Sequence, residues 1–210
     1  MSPVRHVFLE TLAGIRPLLA SLEVGMRWDE PSALENFTVR ALVGHLVRAA
    51  ITVDSYLNLP EPAGEKGISA ASYFANLDLD VSSSLSVGVR ARGEEQAAGG
   101  QEALVAQLDR VTARLAESLL REPDDRLVAV AGDMVMRLDE YLVTRLVELT
   151  IHADDLALSV GLDYPSLPPE ALDITLTTLL DIARHRRGDL AVLRVLSRRE
   201  RAEAGILPVF

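Results

Sequence analysis

No cysteine occurs anywhere in the 210-residue chain. That excludes disulfides, cysteine-based zinc ribbons and any thiol nucleophile belonging to the protein itself. Aromatic residues are scarce, at 4%. The dominance of Leu, Val and Ala then favours helix packed on helix over a β-sandwich. Positive charge is in deficit as well, with 21 Lys and Arg against 31 Asp and Glu and a net charge of −10. A surface of that sign offers no footprint for a phosphate backbone or an anionic bilayer, so neither nucleic acid nor membrane is an expected partner. An anionic electrophile would gain nothing from it either, which points to a neutral or weakly charged small molecule. No apolar run approaches the roughly 18 residues that span a bilayer. The opening stretch MSPVRHVFLETLAGIRPLL lacks the charged and uninterrupted apolar regions of a secretory leader, so a cytoplasmic location is expected.

What is present is ample core material, 49% hydrophobic residues. Phe8, Leu12, Ile15, Leu19 and Leu22 recur at helical spacing, which predicts a first helix over about residues 3–24, kinked or restarted at Pro17 and stopped near Gly25. Thr38 is a good N-cap for a second helix that ends before Pro60, with Leu42, Leu46, Ala50, Val53 and Leu57 facing inward. A short helical segment is expected near Ala70 to Asn76. A long one follows from Ser83 to Leu120, broken or bent at Gly99-Gly100, with Leu104, Leu108, Val111, Leu115 and Leu119 inward. The alternation around Gly132-Asp133 suggests a small β-hairpin. A fourth long helix runs from Leu138 to Val160 and closes at Gly161, and two shorter ones occupy about 169–186 and 189–201. The fold class is therefore all-α: a four-helix bundle with a short helical C-terminal extension and one small β-hairpin before the fourth helix.

The fourth helix carries the chemistry. Tyr141, Thr144, Arg145, Glu148, His152, Asp155 and Ser159 share one narrow sector of its wheel. Leu142, Val143, Leu146, Val147, Leu149, Ile151 and Leu158 fill most of the rest. An ordinary surface helix has the reverse proportion, so this one is expected at the centre, with its polar stripe lining a seam or cavity. Burying Glu148 there is expensive unless it is paired or ligates a cation. Glu148 and His152 stand at i, i+4, one above the other on one face. The same spacing serves a hydrogen-bonded Glu–His pair bridging two helices or two ligands of a metal site. A catalytic zinc needs a third protein ligand and keeps a fourth position open. Of the four histidines, His45 lies on the flank of the second helix and is the natural third ligand, whereas His6 and His185 read as surface residues. A His/Glu/His set suits zinc, and nickel or another divalent ion would also accept it. Arg145 is expected to pair with Glu148 or Asp155 and is the remaining candidate for contact with substrate. Trp28 and Tyr56 read as core plugs, and ARHRRG as a solvated face.

The stretches FTVRALVGHLVRA and YLVTRLVELTIHADDLALSVGL resemble the mycothiol-dependent maleylpyruvate isomerase family, whose N-terminal domain is a DinB-like metal-binding bundle. Phe37 to Arg40, His45, Glu148, His152 and Asp155 carry the match, with Trp28, Pro31 and Ser32 resembling the family's W-x-x-P-S loop. The resemblance covers roughly residues 5–162. It implies a DinB-like bundle over 1–162 and a helical extension over 163–210 packing on it. It also implies that His45, Glu148 and His152 ligate zinc, with Asp155 orienting a histidine behind the metal. The implied chemistry is activation of the thiol of mycothiol, or a similar small thiol, for S-transfer or isomerisation of an electrophile by a monomer or homodimer. A DinB-like protein that keeps the metal for a ligand-sensing or stress-response role is the non-enzymatic alternative. In the family's isomerases a separate C-terminal domain supplies an arginine for the substrate carboxylate. Here the residues after Gly161 read as helices, and Arg184, Arg186, Arg187, Arg194, Arg198 and Arg199 match no motif.

Overall fold

The computed structural model describes residues 2–63, 67–77, 83–130, 134–197 and 200. Helix α1 (Pro3–Leu19) begins on the side chain of Ser2, with proline in its first turn, where no amide hydrogen is needed. The predicted first helix is two elements. The chain passes through Pro17 as helix, stops at Ala20 and restarts on Ser21 as α2 (Leu22–Met26). Leu22 consequently leaves the inward stripe and is exposed. Helix α3 (Val39–Leu57) starts at Thr38, whose hydroxyl accepts from the Ala41 amide. The short α4 (Ala70–Ala75) starts on Ser69.

The long segment breaks at Gly99-Gly100 as expected, into α5 (Ser84–Gln96), a 3₁₀ turn (Ala97–Gly99) and α6 (Gln101–Arg121). Strands β1 (Leu127–Val130) and β2 (Met134–Arg137) pair antiparallel, Leu127 opposite Arg137 and Val130 opposite Met134. Gly132 and Asp133, named for the hairpin turn, lie outside the described residues. Helix α7 (Leu138–Val160) ends as predicted at Gly161, whose φ of 73° is the left-handed conformation that closes helices and that a side chain would disfavour. Helices α8 (Pro169–Arg187) and α9 (Asp189–Ser197) follow.

The protein is all-α with one small hairpin. Helices α1, α3, α6 and α7 close a ring in which α1 and α3 each pack against both α6 and α7. The apolar stripes meet inside it, including Phe8, Leu12, Ile15, Leu42, Leu46, Leu108, Leu115, Leu142, Leu146 and Leu149. Outside the ring, α5 lies along α3, α8 packs on α7 and α4, and α9 packs on α8. The α3–α5 crossing brings backbone against backbone. A Cβ on Gly44 would strike the Gly93 carbonyl, and one on Gly93 would strike the Ala41 carbonyl. Between α7 and α8 the buried hydroxyls of Thr150 and Thr175 are 2.6 Å apart.

A buried arginine ties three elements of the ring together. Arg5, 1% exposed, donates from Nε to Asp139 at 2.8 Å and from its terminal nitrogens to the carbonyls of Leu119, Glu122 and Pro123. Those carbonyls end α6, where a helix has no intrahelical donors left. Among the described residues no helix is long and apolar enough to cross a membrane.

Candidate metal centre

Helix α7 is central, as its wheel predicts: α1, α3, α4 and α8 all pack on it, and even Thr144, Thr150 and His152 are buried. Leu158 departs from the expectation. It is exposed, because the neighbouring helices leave that side of the last turns uncovered.

The polar stripe of α7 faces His45 on α3. Glu148 Oε2 lies 2.9 Å from His45 Nε2 and 3.2 Å from His152 Nε2. The two imidazole rings meet edge to face with centroids 4.9 Å apart. Potential ligand atoms of the three residues all fall within 4.8 Å of one another. Ligands about 2.0–2.2 Å from a tetrahedral ion stand roughly 3.3–3.5 Å apart. A small outward movement of these atoms would therefore admit a divalent cation, and the donors suit zinc. The side chains of His45, Glu148 and His152 are 15%, 16% and 9% exposed, so one edge of the cluster reaches solvent.

Asp155 stands behind the cluster. Its Oδ2 is 2.8 Å from His152 Nδ1. That contact holds the ring so that Nε2 points at Glu148, the arrangement in which an outer carboxylate orients a ligating histidine. Burial alone would lower the His152 pKa, but hydrogen bonds to Asp155 and Glu148 outweigh it and push it up to about 9. Burial likewise opposes charge on Glu148, yet the bonds from His152 and His45 hold it well below the usual carboxylate range. Burial, with only Glu148 opposing it, lowers His45. The resting charges are thus a neutral His45, an anionic Glu148 and a cationic His152.

The loop and helix start that precede His45 set its position. Thr38 donates to Glu94 of α5 at 2.6 Å, and Arg40 bridges the same Glu94 and Asp29. The amides of Val39 and Arg40 donate to the carbonyls of Glu30 and Trp28, which pins the Trp28–Ser32 loop to the start of α3. Ser159, grouped by the wheel with the site, docks that loop instead: its Oγ accepts from the Ala33 amide at 2.8 Å. Phe37 packs edge-on to the His45 ring at 6.2 Å.

Arg145 does not pair with Glu148 or Asp155. Among the described residues it makes no carboxylate ion pair. Its Nε donates to Thr144 Oγ1 at 3.0 Å, and its guanidinium lies over the Tyr141 ring at 4.9 Å. Glu148 lies within its electrostatic reach but is held by the two histidines. Arg48 stands one turn beyond His45 and also lacks a carboxylate partner among the described residues; burial and the nearby Arg92 lower its pKa. Of these two partly buried cations, Arg145 is the one within electrostatic reach of the triad.

Tyr141 donates to Thr52 at 2.8 Å and packs against the Tyr56 ring, tilted 54° with centroids 5.3 Å apart, and burial pushes its hydroxyl up to about 12. Burial also raises Tyr73, on α4, despite the neighbouring Arg145 charge. A helical wheel of α3 could have found Arg48, since it shares the His45 face. Nothing in the pattern of so short a helix as α4 marks Tyr73. Trp28 and Tyr56 pack against the core as expected. His6 and His185 are exposed and belong to no potential ligand cluster among the described residues. Among the C-terminal arginines, Arg184 is tied to Asp181 and Asp189, and Arg186 to the Phe74 and Leu77 carbonyls. Arg198 and Arg199 lie outside the described residues.

Residues 8–157 match the family described as the mycothiol maleylpyruvate isomerase N-terminal domain. The chain belongs to this family. The matched stretch reaches from α1 to α7 and contains every residue of the triad, Asp155, Arg48 and Arg145, whereas α8 and α9 lie beyond it. No curated protein and no solved structure matches the chain.

Proposed function

We propose that the protein is a metal-dependent enzyme that activates mycothiol, or a similar small thiol, for S-transfer to or isomerisation of an electrophilic small molecule. His45, Glu148 and His152 would hold the metal, and zinc fits them best. The observation that carries this reading is the convergence of two imidazoles and one carboxylate from α3 and α7, with Asp155 behind His152, in a chain of this family. A cation bound there would supply a Lewis acid that shifts a thiol from its ordinary pKa near 8.5 toward thiolate at neutral pH. A protein with no cysteine then needs none, because the co-substrate brings the sulfur.

The chain's own groups have separable tasks. Asp155 keeps the His152 Nδ1 proton and aims Nε2 into the site. Glu148 contributes the single negative charge. Arg145, held over Tyr141 and within electrostatic reach of His45 and Glu148, sets positive charge beside the reacting atoms, which favours an anionic sulfur and negative charge developing on the electrophile. Residues 1–162 form the catalytic bundle in this reading, and 163–210 an extension that packs on it.

A second reading, a DinB-like metal-binding protein with a ligand-sensing or stress-response role, is favoured by one observation. The triad lines neither of two surface clefts, one of about 740 Å³ beside α4, α7 and α8 and one of about 680 Å³ beside the start of α1. Elemental analysis of the purified protein, followed by calorimetric titration of the zinc-loaded form with mycothiol, separates the readings. The enzyme reading expects about one metal per chain, saturable thiol binding and release of a proton on binding. Absence of metal after incubation with zinc sinks both readings, and metal without thiol binding leaves the second.

A further inference from the structure

We propose, resting on the metal-and-thiol function above, that Tyr141 is a positioning residue. Its ring holds the Arg145 guanidinium beside the triad as an uncancelled positive charge, which weakens metal binding and strengthens thiolate binding. On α7, Arg145 follows Tyr141 by four residues and Glu148 follows Arg145 by three, so the three side chains share one face. Tyr141 is 2% exposed, and its hydroxyl donates to Thr52 of α3 at 2.8 Å. The Thr52 hydroxyl gives its own proton to the Arg48 carbonyl at 3.0 Å, so toward Tyr141 it is an acceptor. Tyr56, also on α3, packs on the same ring. The ring is thus set by the helix that carries His45. Arg145 Cζ lies 4.9 Å from the ring centroid, inside the roughly 6 Å over which an aromatic face attracts a cation. Its Nε donates to Thr144 Oγ1 at 3.0 Å, and that hydroxyl donates in turn to the Tyr141 carbonyl at 2.6 Å.

Both of these partners are neutral, and that decides what the charge can do. A carboxylate would hold the guanidinium as firmly but cancel its charge. A ring and a hydroxyl hold it and leave the net charge in place. Tyr73 of α4, also close to Arg145, is neutral too, its hydroxyl raised by burial. His45 and Glu148 lie within reach of the charge. A fixed positive charge there acts in opposite senses on the two ligands of the site: it repels a divalent cation and attracts an anionic sulfur. Loss of mere packing would instead weaken both together. The opposed signs therefore separate this role from a structural one.

Competition of the full chain against a zinc chelator, and titration of its cobalt-substituted form with mycothiol, test this. Arg145→Met keeps an apolar stem and removes the charge. It should tighten zinc by about three- to tenfold and weaken mycothiol by a similar factor, the scale of one unit charge acting through a partly buried site. Tyr141→Phe keeps the ring and should stay within about twofold of the wild type in both affinities. Pentafluorophenylalanine in place of Tyr141 keeps the shape of that ring and removes its negative face. It should shift both affinities in the directions of Arg145→Met, and should shift neither when added to Arg145→Met. Zinc and mycothiol affinities that fall together in Arg145→Met, or do not move, overturn the proposal. A fluorinated ring that behaves as Tyr141→Phe does, or that adds to Arg145→Met, overturns the positioning role of Tyr141. A wild type that takes up no zinc overturns the function proposed above and this inference with it. One that binds zinc but no thiol overturns the enzyme reading and the thiolate half of the inference, and the zinc affinities decide the other half.

Discussion

One carboxylate oxygen of Glu148 faces both imidazoles, and that arrangement sets how the site must respond to metal and to pH. Without metal, His152 is held in its protonated form by Asp155 and Glu148, with its pKa raised to about 9. A cation can take Nε2 only when that proton leaves. Metal affinity should therefore fall as pH drops below about 9 and level off above it. Uptake near neutral pH should release about one proton, measurable by calorimetry in buffers of different ionisation heat; uptake without proton release would contradict the assignment of His152. The individual residues separate the same way. Glu148→Gln or His152→Ala should abolish tight metal binding, and His6→Ala or His185→Ala should leave it unchanged. Asp155→Asn should weaken affinity about 10–100-fold, the usual loss when the group orienting a ligating histidine is removed. Competition against a chelator of known affinity reads all five, and equal losses across them would mean that these residues are not special.

At the scale of elements, the site depends on where α3 and α7 are held. Helix α3 is placed by its glycine contact with α5 and by the Thr38–Glu94–Arg40 link, while Arg5 ties α1 to the end of α6 and to Asp139 at the start of α7. Gly93→Ala drives a Cβ into the Ala41 carbonyl, one helical turn before His45. It should lower stability by about 1–3 kcal/mol, the typical cost of overpacking, and reduce metal affinity with it. Arg5→Ala leaves the Asp139 carboxylate and three helix-end carbonyls without their donor and should cost about 3–5 kcal/mol by denaturant unfolding. A loss below 1 kcal/mol would show that water replaces the guanidinium.

Much of this was legible beforehand. The bounds of α3 and α7, the inward stripe of α6 and the hairpin all follow from local signals: an N-cap threonine, a closing glycine, a helical period and an alternation. The break at Ala20–Ser21 begins three residues after Pro17, displaced because Ser21 offers a fresh cap. Arg5, Gly44 and Gly93 were not legible at all. A latch onto distant carbonyls and a backbone contact between two helices leave no periodic trace in either segment. The pairing of His45 with Glu148 was legible only because both helices were individually strong. Arg145 was misread because its stacking on Tyr141 competes successfully with the nearby carboxylates, which the histidines already occupy.

At the scale of the whole molecule, the apolar core and the metal site are separable. The core fills the ring of α1, α3, α6 and α7, while the triad sits toward one edge of it with its own hydrogen bonds. Chelation should accordingly leave the helical circular dichroism intact and lower the melting temperature. A ligand present at a thousand times its Kd adds about 4 kcal/mol of stability, and an unfolded metal-free chain would contradict this separation. The central claim is that these residues hold a metal ion for the activation of a small thiol. Titrating the cobalt-substituted protein with mycothiol tests it most directly, because sulfur coordination to cobalt has its own absorption band. This band should appear, saturate with thiol and be absent in Glu148→Gln. A cobalt spectrum unchanged at saturating thiol would contradict it.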